Sequence, residues 1–261
     1  MNFETIKYEI KDQTAIITIN RPQVYNALNV QGKLDIISAI RTANKDQNIR
    51  SIILTAEGKA FCSGQDLNDR TVNSDNGPVD IGATIEKEWN PLIEAIRTSD
   101  KIIIGAYQGV AAGAGLSVAL ACDLKVAAPG VRFIAGFTQI GLTPDAGLSF
   151  MLTRQLGYTR ALEFALMGKP LMSEEMKELN FINHIAENPL EKALELANTI
   201  NLLPPLSVKT VKKNFQFALD QEMKDVLDRE KHTQRFLGFS EDYREGVKAF
   251  LEKRKPEFKG K

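Results

Sequence analysis

Three short stretches of the chain carry residue types that together suit chemistry at a carbonyl group. The first is Phe61-Cys62-Ser63-Gly64-Gln65-Asp66-Leu67, and the second is Gly109-Val110-Ala111-Ala112-Gly113-Ala114-Gly115. Glycine lets a backbone pass close to another group. The second stretch runs into an apolar segment of helical character, and a helix N-terminus leaves amide N–H groups unpaired, with partial positive charge. Two such turns brought together would aim two N–H donors at one developing oxyanion. Taken singly, each also reads as plain turn chemistry. The third stretch is Gly141-Leu142-Thr143-Pro144-Asp145-Ala146-Gly147. Here Pro144 disfavours helical geometry at Thr143, and Asp145 is either a cap for a following helix or a carboxylate base.

Other chemistries find less support. The two histidines, His184 and His232, stand away from the glycine turns, which argues against a Ser-His-Asp or Cys-His enzyme. Cys62 and Cys122 form no CxxC pair, so they read as buried thiols rather than zinc or redox ligands. No GxGxxG follows the first strand and no GxxxxGK[ST] occurs, so phosphate-binding loops of those kinds are not expected. Lys+Arg and Asp+Glu are both 33, a balance that argues against nucleic acid as the main partner. The uncharged run from Ile102 to Cys122 is long enough for a membrane span, but four glycines and Gln108 divide it into a strand, a turn and a helix. With two cysteines and no export signal at the N-terminus, the expected compartment is the reducing cytosol.

The elements that must position these residues alternate in the first half of the chain. Apolar β-type runs predict strands at Ala15–Ile19, Ser51–Thr55, Ile102–Tyr107, Leu124–Ala127 and Arg132–Ile134. Helical spacing predicts helices at Val30–Asn44, Thr84–Thr98, Ala114–Ala121 and Ala146–Leu156. In the first helix Val30, Leu34, Ile37 and Ile40 mark the expected buried face. From Ser173 on the pattern is helical, with segments at Glu174–Leu179, Leu190–Leu202, Leu206–Leu219, Met223–Leu237 and Glu241–Lys253. Ser173 and Ser240 are the expected N-caps, and Pro204-Pro205 separates two of the helices. Residues Asn73–Gly77 read as a mobile loop. The fold class is therefore α/β, with a helical C-terminal part.

In one order along nearly the whole chain, these motifs resemble the enoyl-CoA hydratase/isomerase (crotonase) superfamily. The resemblance runs from Asn20-Arg21-Pro22 and Asn26-Ala27-Leu28, through FCSGQDL at 61–67, the Gly109–Gly115 turn and Cys122-Asp123, to Tyr243-Arg244-Glu245-Gly246 and Ala249–Arg254. It implies a spiral of ββα units, with an acyl-CoA-binding core at 1–200 and a helical part at 201–261 that covers the active site and builds trimers or hexamers. It implies an oxyanion hole from the backbone amides of Gln65 and Ala114. Substrate contacts would come from Val24, Tyr25, Ala27, Ser63, Asp66 and Leu67, and from Gly113, Phe137 and Pro144. The family's hydratases carry two glutamates at positions that match Ser117 and Phe137, neither of which is a carboxylate here. Asp145 is then the carboxylate in the remaining motifs, and the catalytic candidate. With GQDL, Asn68-Asp69-Arg70 and the ending KPEFKGK, this resembles the 1,2-epoxyphenylacetyl-CoA isomerase subgroup of phenylacetate degradation. The implied function is an acyl-CoA isomerase that shifts a double bond or a ring epoxide through a thioester enolate. It needs no metal and no cofactor beyond the substrate's coenzyme A, and burial near Phe137 and Leu142 is expected to raise the Asp145 pKa. The alternatives are an enoyl-CoA hydratase of β-oxidation and a non-catalytic acyl-CoA binder. If Asp145 is not the base, Glu86 and Glu88 are next in line.

Overall fold

The most apolar runs become strands covered on both faces. Thr14–Ile19 and Ser51–Ala56 are buried at every position, as parallel strands between other layers must be. A computed structural model describes residues 3–69 and 80–261. The expected loop at Asn73–Gly77 and Arg70 of the NDR motif lie outside the described residues.

The chain opens with an antiparallel pair, β1 (Ile6–Lys11) and β2 (Thr14–Ile19), followed by α1 (Val30–Lys45). It then repeats a unit of two strands and a helix. β3 (Ser51–Ala56) and β4 (Ala60–Cys62) lead to α2 (Ile81–Thr84), a π-helical turn at Ile85–Trp89, and α3 (Asn90–Thr98). β5 (Ile102–Tyr107) and β6 (Val110–Ala112) lead to α4 (Ala114–Ala121). β7 (Leu124–Ala127) and β8 (Arg132–Ile134) lead to α5 (Leu148–Leu156) and α6 (Tyr158–Met167). The first strand of each unit joins a sheet ordered β1-β2-β3-β5-β7-β10, and the second joins a sheet ordered β4-β6-β8-β9. Consecutive units therefore stack as turns of a spiral, with β3, β5 and β7 parallel in one wall and β4, β6 and β8 parallel in the other. Then follow β9 (Leu171–Met172), α7 (Ser173–Glu178), β10 (His184–Ile185), α8 (Pro189–Asn201), α9 (Pro205–Ala218), α10 (Met223–Gly238) and α11 (Glu241–Glu252). The uncharged run from Ile102 supplies β5, β6 and α4, and no helix among the described residues is long and apolar enough to cross a membrane.

Several local expectations need correction. The glycine-rich turn contains a strand, β6, which pairs with β4 and β8. Ser173 is the first residue of α7 rather than its cap; Glu175 instead reaches back to the Met172 N–H at 2.8 Å. Ser240 does cap α11, accepting from the Tyr243 N–H at 3.0 Å. Helix α1 is turned from its expected face. Val30 and Leu34 are exposed, while Lys33 is buried along with Ile36, Ile37, Ala39 and Ile40. Helix α6 has no counterpart in the expected pattern: it buries only Ala161 and Phe164, too little to stand out as a periodic signal.

The C-terminal helices are tied to the spiral by a buried ion pair. Lys212 of α9 meets Asp123 at 2.7 Å, and the Asp123 carboxylate also accepts the Ile103 N–H at 2.8 Å. Burial pushes the Lys212 pKa down against the pull of Asp123.

Candidate functional site

The two glycine motifs meet, and glycine is required where they do. Gly64 has φ +101°, and a Cβ placed on it would lie 3.1 Å from the Ala112 carbonyl and 3.4 Å from the Ala114 nitrogen. A Cβ on Gly115 would lie 2.2 Å from the Cys62 carbonyl oxygen and 2.8 Å from its sulfur. Only a hydrogen at these positions lets the start of α4 sit directly on the end of β4.

Pairing then sets the direction of the amides. Leu28 donates to the Gly64 carbonyl at 2.8 Å, and the Asp66 N–H donates to the Leu28 carbonyl at 3.0 Å. This parallel bridge uses the groups on either side of Gln65, so the Gln65 N–H faces the opposite edge, toward α4. Ala114 is the first residue of α4, beyond the reach of an intrahelical acceptor. Among the described residues, neither the Gln65 nor the Ala114 N–H has a protein acceptor. Two amides without acceptors, one of them at the positive end of a helix, are what a developing oxyanion needs. Gly113 is held by its own N–H donating to the Ile134 carbonyl at 2.9 Å, which fixes the cap of α4 to β8.

Asp145 is brought to the same helix. Ser117, one turn into α4 and fully buried, donates its hydroxyl to the Asp145 carbonyl at 3.1 Å. The capping alternative fails: α5 begins at Leu148 with Gly147 as N-cap and no side-chain cap bond. Between them Ala146 adopts φ +50°, uncommon for a residue with a side chain and a form of strain that clusters at functional sites. Phe137 is buried, and its carbonyl accepts from Ile140 at 3.1 Å and Leu142 at 3.0 Å, which shapes the loop leading through half-buried Pro144 to Asp145.

The segment before the first motif is strapped to it. Tyr25 and Asn26 are both left-handed, with φ +53° and +57°. Asn tolerates this conformation, and the Asn26 side chain bridges the Glu57 and Ala60 carbonyls at 2.7 Å each. Ser63 donates its N–H to the Tyr25 carbonyl at 3.1 Å and its hydroxyl to the Val24 carbonyl at 3.5 Å. Ala27 is buried, whereas Tyr25 and Leu67 are each 61% exposed. The Asp66 carboxylate is turned inward, paired with Arg21 at 2.9 Å and accepting the Asn68 N–H at 3.1 Å. It builds the loop from within.

His184 lies in β10 and His232 beside Asp228, neither within these loops. Burial pushes the Cys62 thiol up to about 12 and the Cys122 thiol up to about 11, so neither is a thiolate near neutral pH. Glu86 is exposed, and Glu88 is ion-paired with Lys33. Lys33 and Trp89, both buried against the Gln65 side chain, are site residues that the motifs do not point to. A lysine on an amphipathic helix reads as surface, and no local spacing marks it otherwise.

Known proteins resemble this chain over nearly its whole length. A family model described as enoyl-CoA hydratase/isomerase matches residues 9–261. The chain is similar to the 1,2-epoxyphenylacetyl-CoA isomerase of Escherichia coli K12, 35% identical over 260 residues and 99% of both chains. It is also similar to a probable enoyl-CoA hydratase of Rhodobacter capsulatus, 38% identical over the full length of both. The crystal structure of an enoyl-CoA hydratase from Polaromonas sp. JS666 superposes with a TM-score of 0.92 at 32% identity, covering 97% of this chain and 99% of that one.

Proposed function

Because the chain belongs to the enoyl-CoA hydratase/isomerase family, we propose that it is an acyl-CoA isomerase working through a thioester enolate. The carrying observation is the pair of amides at Gln65 and Ala114, without acceptors among the described residues, beside a loop that ends on Asp145. In this reading the thioester oxygen accepts both N–H bonds, which stabilises the enolate by about 3 kcal/mol per donor. The Asp145 carboxylate takes a proton from the carbon next to the thioester of a 3-enoyl substrate. Electron density moves onto the thioester oxygen, and the Asp145 carboxyl, whose proton exchanges with solvent, returns a proton at the far end of the allylic system. The sequence is redox-neutral and calls for no cofactor beyond the substrate's own coenzyme A. Val24, Tyr25, Ala27, Ser63 and Leu67 are assigned to the coenzyme A side, and Gly113, Phe137 and Pro144 to the acyl side. A ring-epoxide thioester is the finer substrate assignment, supported by the Escherichia coli relative.

A hydratase is the second reading, favoured by the name of the Rhodobacter relative. Hydration needs a group that orients and deprotonates water. Ser117 is fully buried with its hydroxyl committed to the Asp145 carbonyl, and Phe137 has no proton to move. Hydration of crotonyl-CoA should therefore run at least about 10²-fold below isomerisation of a matched 3-enoyl-CoA in kcat/KM. Mass spectrometry of both reactions in heavy water decides the matter. Equal efficiencies would favour the hydratase, and binding without deuterium wash-in would leave only an acyl-CoA binder.

Assembly is a second expectation. Phe215, Phe236, Phe239 and Phe250 of the C-terminal part are 75%, 58%, 76% and 82% exposed, more apolar surface than an isolated chain of this size usually shows to water. We expect light scattering to report three or six times the 29.0 kDa of one chain at micromolar concentration. A mass near one chain would refute this.

A further inference from the structure

The Gln65 side chain lies at the centre of a buried polar cluster that the proton-shuttle chemistry alone does not require. Its Oε1 accepts from Lys33 Nζ at 2.9 Å and from the Trp89 indole N–H at 2.9 Å, which fills both lone pairs. Its Nε2 donates to the neighbouring Asp66 carbonyl at 3.0 Å. The Lys33 side chain is 1% exposed and Trp89 0%. Lys33 also pairs with Glu88 and stands 4.7 Å from the centroid of the Trp89 ring. An amide side chain with both lone pairs engaged and a donor spent on its own loop has no second rotamer of equal energy.

The cluster is costly to build, and its cost points to a role. Burying an ammonium group takes it from water, and an apolar residue of the same volume is often as good or better for stability. Glu88 and Trp89 both come from the π-helical turn Ile85–Trp89. Such a turn winds an extra residue into a helix and is frequent at functional sites. Here it brings two consecutive residues to one place, Glu88 to the ammonium and Trp89 to the amide oxygen.

We propose that Lys33 and Trp89 are positioning residues for the oxyanion site. Together they clamp the Gln65 side chain, and through it hold the Gln65 backbone N–H toward the point it shares with the Ala114 N–H. Glu88 balances the charge of Lys33. This rests on the acyl-CoA reading of the two amides given above. A hydrogen bond weakens steeply as its angle departs from linearity, and the oxyanion is most charged at the enolate. Loosening the clamp therefore lowers kcat while leaving thioester binding nearly intact.

The test uses the full-length protein. Lys33→Met combined with Glu88→Met removes both charges at once, so neither is left buried without its partner. Trp89→Phe keeps an aromatic ring, deletes the donor and leaves a smaller side chain in the same place, so its Tm is read beside its kcat. The clamp predicts kcat lower on the order of 10- to 100-fold in the double variant and about 10-fold in Trp89→Phe, with KM within about threefold. A second readout is independent of turnover: the infrared carbonyl stretch of bound crotonyl-CoA carrying ¹³C at the thioester carbonyl. Its shift to lower frequency in the unmodified protein should shrink in both variants. Folded variants with undiminished kcat and carbonyl shift would overturn the proposal, as would a kcat loss with an unchanged shift. If the double variant does not fold, Trp89→Phe decides alone. An unmodified protein that polarises the carbonyl but isomerises nothing would sink the isomerase reading, and the shift would still decide the clamp. An unmodified protein that produces no shift would overturn both.

Discussion

Asp145→Asn should leave a folded protein that still binds acyl-CoA and turns it over 10²–10⁴-fold more slowly, the usual scale for losing a general base. The backbone bonds that place residue 145 do not depend on its side chain. Asp145 does not cap α5, which begins at Leu148 behind Gly147. Residue 145 is held through its backbone carbonyl, which accepts from Ser117 at 3.1 Å and from the Leu148 N–H at 2.9 Å. An amide side chain leaves both bonds untouched. Asn cannot take a proton from carbon, so deuterium exchange into a bound thioester should stop along with isomerisation. Thermal unfolding, acyl-CoA binding by calorimetry and exchange by mass spectrometry separate the outcomes. Near-normal exchange by a stable Asn variant would remove Asp145 from the mechanism. Of the next candidates, Glu86 would then be tested first, since Glu88 is engaged by Lys33.

A single methyl group at Gly115 should be nearly as damaging, for a steric reason. The Cβ of Gly115→Ala would lie 2.2 Å from the Cys62 carbonyl oxygen, a backbone atom with no rotamer to escape into. Relief requires the start of α4 to back away from β4, which parts the Ala114 amide from the Gln65 amide. Overpacking of this kind costs about 1–3 kcal/mol or more in stability. Losing one oxyanion donor costs about 10²–10³ in turnover. Both losses are expected together, read as a lower Tm and a lower kcat. Gly238→Ala is the control: Gly238 closes α10 with nothing within 4 Å of an added Cβ, and it should be close to neutral. A Gly115→Ala variant with unchanged Tm and kcat would show that the contact between the two motifs is not what forms the site.

The division between sequence and structure follows the range of the interactions involved. Apolar β-type runs carry their signal locally, so Ile102–Tyr107, Leu124–Ala127 and Arg132–Ile134 were legible residue by residue. Short elements whose stability comes from a neighbour were not. β9 and β10 are two residues long and exist because β8 and β7 pair with them. The half-exposed β1 exists because β2 does, and β6 hides within a glycine-rich run because β4 and β8 flank it. Gln65, Ala114 and Asp145 could be named from their motifs, as could the turn chemistry of Gly64 and Gly113. That the two amides lack acceptors among the described residues could not be read from the motifs. It depends on Leu28 occupying the near edge of the first loop and on Gly115 meeting the carbonyl of Cys62, a residue far from it in the chain. Whether Asp145 caps a helix was a local question with two local answers, and the left-handed turn at Ala146 and Gly147 chose between them. Lys33 shows the limit most directly. Its helix pattern placed it at the surface, yet it is buried, because Gln65 and Glu88, 32 and 55 residues along the chain, supply the partners that make burying a charge tolerable. Residue types and their order determined the family and the chemistry on offer; only the packing of distant segments decided how the Gln65 and Ala114 amides, Asp145 and the buried Lys33 are placed relative to one another.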